Sequence, residues 1–165
     1  MNRFLAMLLA ALMLLSLAGC NSAPQPETQG TTAPAVTTVP ADMEKIYAEM
    51  AEKMPEMIRM DETTMLNFCG IRAEDCVQVV AAICADGLIT DEVWLIEAKD
   101  EAALEQLKTL AETRLQMKAE ESITYSPEQY EVVQKAKILT NGLYMALIVS
   151  PDVDVLAAIF QASAG

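Results

Sequence analysis

The chain has 165 residues, with 11 basic and 24 acidic side chains, no histidine and a formal net charge of −13. A polyanion of this kind repels the phosphate backbone, which argues against nucleic acid as a partner. The missing imidazole excludes Ser-His-Asp and Cys-His catalysis within this chain and removes the commonest zinc ligand.

The first elements form an export pattern. Arg3 is followed by an unbroken apolar run over residues 4–15. That run falls short of the ~20 residues a spanning helix needs, and a charged start, apolar middle and small-residue end mark a secretory signal. Leu17-Ala18-Gly19-Cys20 resembles the lipobox of bacterial lipoproteins, in which the cysteine thiol receives a diacylglyceryl group and cleavage before it leaves the cysteine N-terminal. The expectation is a signal peptide over 1–19 and a lipidated Cys20 holding the chain to the membrane. Two acyl chains anchor stably where one does not, each buried methylene contributing ~0.8 kcal/mol. The expected location is the outer face of the cell membrane. Cleavage after Ala18 or Gly19 without lipid is the plainer alternative.

Residues 21–41, "NSAPQPETQGTTAPAVTTVPA", hold four prolines and five threonines, with no Leu, Ile, Met or aromatic residue. Such a segment buries too little apolar surface to offset chain entropy, so residues 20–41 read as a disordered tether. It would reach ~60 Å extended and about 25 Å as a coil. Residues 42–165 are then one domain, enough for a single core.

Within that domain Asp42 is an N-cap for a helix on which Met43, Ile46, Met50, Met54 and Met57 recur near helical spacing, with Pro55 ending or kinking it. A short second helix follows, capped by Asp61 and stopped at Gly70. "CVQVVAAICA" fits a helix face or a buried strand; its β-branched density decides for strand. "EVWLIEA", residues 92–98, is apolar on both faces and so a central strand. Asp100 caps a long helix with Leu104, Leu107, Ala111 and Leu115 along one face. Tyr130, Val132, Ala136 and Ile138 alternate with polar residues and predict a strand. Asn141-Gly142 predicts a type I′ hairpin turn into a buried strand over 143–149. Ser150-Pro151-Asp152 opens a last helix with Val153, Leu156, Ala157 and Phe160 inward. The order α-α-β-β-α-β-β-α predicts an α+β fold, an antiparallel sheet of about four strands in two hairpins covered by helices.

"NFCGI", Glu92 opening "DEVWLIEAKD", Arg114 in "ETRLQ", Tyr125 and Tyr130 in "YSPEQY", and "NGLYMALIVSPD" together resemble lipoproteins of Gram-positive bacteria that carry domain of unknown function 4358. The resemblance spans residues 60 to 162. It implies the same architecture and tether, and carries over no catalytic residue.

Several constellations are weighed for chemistry. Glu92 and Arg114 sit on elements that should pack together, as a ligand clamp or a structural bridge. Met54, Met57 and Met60 have the spacing of soft copper(I) sites, against a role as irregular core filler. Glu92, Glu97, Asp100 and Glu101 are dense acids that would suit sugar hydrolysis if two flanked one bond, against a solvated rim. Asp152 and Asp154 lack a calcium loop and suit a helix start. Trp94, Tyr125, Tyr130 and Tyr144 would stack on a sugar or peptide if they converged. With Cys20 lipidated, Cys69, Cys76 and Cys84 leave an odd thiol; Cys76 and Cys84, on one strand, would be ~26 Å apart and unable to bridge.

No cofactor and no catalytic residue emerges. The reading is a non-enzymatic envelope module for a small ligand, an envelope polymer or another exported protein. A carboxylate enzyme acting on cell-wall polymer and methionine-based metal handling are the alternatives.

Overall fold

The computed structural model describes residues 40–164. The expected signal peptide, Cys20 and most of the expected tether lie outside the described residues. The elements run α1 (Met43–Ala51), β1 (Met57–Arg59), α2 (Glu62–Thr64), β2 (Cys76–Cys84), β3 (Glu92–Ala98), α3 (Glu101–Tyr125), α4 (Pro127–Gln134), β4 (Lys137–Asn141), β5 (Tyr144–Val149) and α5 (Val153–Ser163). The fold is α+β, and its five strands form one antiparallel sheet in the order β1-β2-β3-β5-β4. The expected hairpins are β2–β3 and β4–β5, joined through the β3–β5 ladder.

Both faces of the sheet are covered, because β3 and β5 are apolar on both. Val93, Leu95, Ala146 and Ile148 pack against α1 and α5, whose inner residues are Met43, Ile46, Met50, Val153, Leu156 and Phe160. Trp94, Ile96, Met145 and Leu147 pack against α3 and α4 through Leu104, Leu107, Ala111 and Val133. Full burial of each large side chain contributes about 1.5–3 kcal/mol, so β3 lies at the most stabilised point of the molecule.

Helix α1 starts where Asp42 accepts from the Glu44 and Lys45 amides, at 3.1 and 3.2 Å. It ends at Ala51, four residues before Pro55, so Met54 and Met57 leave the helix on which their spacing placed them. Met57 instead opens β1, a fifth strand absent from the sequence reading, which pairs with the far end of β2. Arg59 at its end makes two bonds to Glu44, at 2.8 and 2.9 Å, and lies 4.6 Å over the Tyr47 ring. Ala41, the last residue of the expected tether, is buried in this layer. Its amide donates to Tyr144 Oη and its carbonyl accepts from Gln78 Nε2, while Gln78 Oε1 receives the Met43 amide.

Asp61 caps α2 through the Thr64 amide at 2.7 Å. One π turn, Met65–Cys69, extends it to Gly70, whose φ of +71° stops the chain as expected. A Cβ on Gly70 would stand 3.0 Å from the Cδ2 of Leu110 on α3, a tight contact with the mobile end of a side chain, so it is the positive φ that favours glycine here.

Three further expectations are corrected. The segment from Tyr130 is not a strand: residues 127–134 form α4, and the strand begins only at Lys137. Ser126 accepts from the Gln129 amide and Pro127 occupies the first turn, and this start signal overrides the alternation that follows. At residue 150 the same signal stands too early: Pro151 lies in a turn before the helix, and α5 begins at Val153 with Asp152 as its N-cap and no side-chain cap bond. The β4–β5 turn falls at Gly142-Leu143, since Asn141 still pairs with Tyr144 in the ladder. Asn141 uses its side chain elsewhere, donating Nδ2 to the Ala164 carbonyl.

Candidate functional site: a cleft floored by buried charge

Helix α3 changes character along its length. Its core-facing positions are Leu104, Leu107 and Ala111, and then Lys118 and Ser122 are buried on the same line. Arg114 lies between, so the inward stripe passes from hydrocarbon to cation within one helix. These cations meet Glu92, the first residue of β3, which is fully buried.

Glu92 takes donors from three side chains. Trp94 Nε1 donates to Oε1 at 2.8 Å. Arg114 Nε lies 3.0 Å from Oε1 and 3.1 Å from Oε2, and Nη2 lies 2.8 Å from Oε2. Lys118 Nζ reaches Oε2 at 2.8 Å. The Arg114 and Lys118 side chains are only 14% and 9% exposed. Burial pushes the Glu92 carboxyl up, but the Arg114 hydrogen bonds and the Lys118 and Arg114 charges outweigh it and hold it below the ordinary range. The structure thus brings together Glu92 and Arg114 and adds Lys118 and Trp94, neither of which was paired with them on sequence grounds.

Asp91, one residue earlier, is 3% exposed, and its Oδ2 is buried without a hydrogen-bond partner among the described residues. Burial pushes its carboxyl up, against the pull of the Ser150 hydroxyl and the Lys118 charge. An unpaired buried polar atom costs about 1–3 kcal/mol, so few persist without a reason.

Asp91, Arg114, Lys118, Glu121, Ser122 and Cys84 are among the residues lining a cleft of about 190 Å³ between α3 and the β2–β3 loop. Gly87, Thr90, Glu121 and Ser122 also line a wider groove of about 530 Å³, which adds Leu88, Tyr125, Ser126 and Gln129. Gln129 Oε1 accepts from both the amide and the hydroxyl of Thr90 at 2.9 Å, tying α4 to the loop. Leu88 is 84% and Tyr125 87% exposed, so the groove has an apolar lip and a charged floor.

The other candidates do not converge. Met54 and Met57 pack in the α1–α5 layer and Met60 in the α3 layer, because an odd step along an extended chain changes face; they form no single three-sulfur set. Glu97 faces the side opposite Glu92 and accepts from Gln78 at 2.6 Å. Asp100 caps α3 through the Ala103 amide. Glu101 is exposed. Asp154 pairs with Lys137 at the surface, and Asp152 precedes α5. Of the aromatic set, Trp94 lies under the cleft, Tyr125 lines the groove, and Tyr144 meets Ala41 in the other layer. Among the described residues, no group of three acidic or cysteine side chains is placed to hold a metal ion.

Cys69, Cys76 and Cys84 are free thiols. Cys76 and Cys84 occupy opposite ends of β2. Burial, with Glu92 nearby, pushes the Cys69 thiol up to about 12, and its Sγ donates to Met60 Sδ at 3.7 Å. Burial, with Asp75 nearby, pushes Cys76 up to about 11. Neither supplies a thiolate at neutral pH.

Asp91, Lys118 and Ser122 escaped the sequence reading. The signal for the last two was present: Arg114, Lys118 and Ser122 continue the Leu104-Leu107-Ala111 stripe at helical spacing. Asp91 carried no such mark, since an acid in a loop before a strand looks solvated.

Among the described residues, no helix is long and apolar enough to cross a membrane. Comparison with curated proteins and with solved structures returned no match for the chain. Residues 40–150 match the family model described as a domain of unknown function, DUF4358, and the chain belongs to that family.

Proposed function

We propose that this protein is a lipid-anchored domain at the outer face of the cell membrane, and that it binds a small polar ligand in the cleft without catalysing its conversion. The anchor reading is supported by the apolar run ending in Leu17-Ala18-Gly19-Cys20 and by the proline- and threonine-rich stretch after it. The binding reading is carried by one observation: a buried carboxylate oxygen of Asp91 without a partner, on the wall of a cleft that also presents Lys118 and Arg114.

Several features favour binding over catalysis. The chain has no histidine. Glu92 is engaged by Trp94, Arg114 and Lys118, so it neither gives nor takes a proton readily. Cys69, adjacent to the cluster, remains a thiol. A carboxylate enzyme would have to pair Asp91 with Glu121, the other acid on the cleft wall.

Two measurements test these readings. Mass spectrometry of the mature protein should find a diacylglyceryl group on Cys20 as the first residue; a bare sulfur there, or a retained leader, removes the anchor. Incubation of the full chain with wall glycan should leave the polymer uncleaved. Cleavage lost in both Asp91→Asn and Glu121→Gln would replace binding with hydrolysis.

A further inference from the structure

We propose that the cleft and the groove beside it recognise a neutral polyhydroxylated ligand of the sugar class, with vicinal hydroxyls reaching Asp91 and Lys118 in the cleft and a ring lying on Tyr125 in the groove. This rests on the binding reading above and names its ligand. The first argument is charge balance. Arg114 and Lys118 offset Glu92 and Asp91 at the floor, and the exposed Glu121 adds one acid on the wall. A phosphate or carboxylate attracted to Lys118 would meet Asp91, and an amine attracted to Asp91 would meet Lys118. Both encounters are costly where Asp91 is 3% and Lys118 9% exposed.

The second argument is hydrogen-bond inventory. Asp91 Oδ2 needs a donor and has none among the described residues. Lys118 carries three N–H groups and directs Nζ at Glu92 Oε2, and Arg114 bonds Glu92 through Nε and Nη2 only, leaving Nη1 free of that carboxylate. The ligand therefore has to donate at one point and accept at a neighbouring one. A hydroxyl does both, and two adjacent hydroxyls on a ring do so at the separation of neighbouring side chains.

The third argument is the lip. Tyr125 and Leu88 are the two most exposed large apolar side chains among the described residues, at 87% and 84%, and both line the outer groove. A sugar ring has an apolar C–H face suited to an aromatic platform, with polar edges left for the floor. A groove of about 530 Å³ is in the range of small-molecule sites and extends beyond a single ring.

Trp94, the single tryptophan of the chain, donates to Glu92 beneath the cleft and serves as the optical probe. The test uses the full chain in a detergent without a sugar headgroup. It is titrated with glucose, N-acetylglucosamine and its β-1,4-linked trimer, beside glycine and inorganic phosphate, with Trp94 emission and calorimetry as readouts. The expected result is a saturable response to a sugar, about tenfold or more weaker in Asp91→Asn and about threefold to tenfold weaker in Tyr125→Ala, which leaves the unfolding temperature unchanged. A response to glycine or phosphate alone that is lost in Asp91→Asn overturns the sugar class and keeps the cleft as the binding site. A sugar response indifferent to Asp91→Asn and Tyr125→Ala overturns the cleft assignment too. Silence from every sugar in both readouts overturns the proposal.

Discussion

The two faces of the sheet solve the same covering problem with different materials. Under α1 and α5 the buried residues are hydrocarbon and thioether, closed at the strand end by the Gln78–Glu97 bond. Under α3 and α4 the same strands contribute Trp94 and Ile96, yet next to them lie Glu92, Lys118, Ser122 and Asp91, all buried. Well-packed apolar residues of similar volume are often as stabilising as a buried ion pair or more so. The first face is therefore what stability alone selects, and the second carries a cost that folding does not require.

Replacing Glu92 with Gln would break the contrast most severely. It leaves Arg114 and Lys118 buried against a neutral amide, and about 4 kcal/mol of stability should be lost, measured by chemical denaturation of the full chain. Leu156→Ala, in the apolar layer, should cost about 3 kcal/mol by cavity formation, while the Trp94 response to any cleft ligand keeps its midpoint. An affinity change there would mean that the two faces are coupled.

Asp91→Asn sharpens the comparison through its sign. It should stabilise the unliganded protein by about 1 kcal/mol near pH 7, because a buried carboxylate whose Oδ2 has no donor is replaced by a neutral group. The pH dependence is opposite for the two neighbouring acids. Asp91, raised by burial above its ordinary 3.8, contributes stability present below pH 3.8 and lost as pH rises through its folded value. Glu92, held below its ordinary 4.5, contributes stability present above pH 4.5 and lost as pH falls through its folded value. The advantage of Asp91→Asn should accordingly shrink as pH is lowered from 7 toward 4, followed as the difference between two melting curves. A constant difference would mean that Asp91 titrates normally. Tyr125→Ala should be the mildest change, within about 0.5 kcal/mol of the parent protein by the same denaturation measurement, since its ring is exposed.

The frame was legible where periodicity and capping agreed. Asp42, Asp61 and Asp100 each cap the helix their position implied, and the doubly apolar runs at Glu92–Ala98 and Tyr144–Val149 became the strands central to the sheet. Legibility failed where two local signals competed. At Ser126-Pro127 the start signal defeated the alternation of Tyr130 to Ile138, and after Pro55 a short edge strand left no pattern of its own. The site was half legible. Glu92 and Arg114 stood out as opposite charges on elements bound to pack, but Lys118 was not singled out, because hydrophobic spacing marks which positions point inward and not which charged residues occupy them.

Gln78 has a mechanical consequence. Its amide clasps the Ala41 carbonyl and the Met43 amide while it is itself held by Glu97, and Tyr144 takes the Ala41 amide. Tension arriving along the backbone from residue 40 is therefore borne by strands β2, β3 and β5 together at this clasp, on the layer opposite the cleft. A pull on the chain would reach the sheet as shared load and leave the β2–β3 loop unstretched.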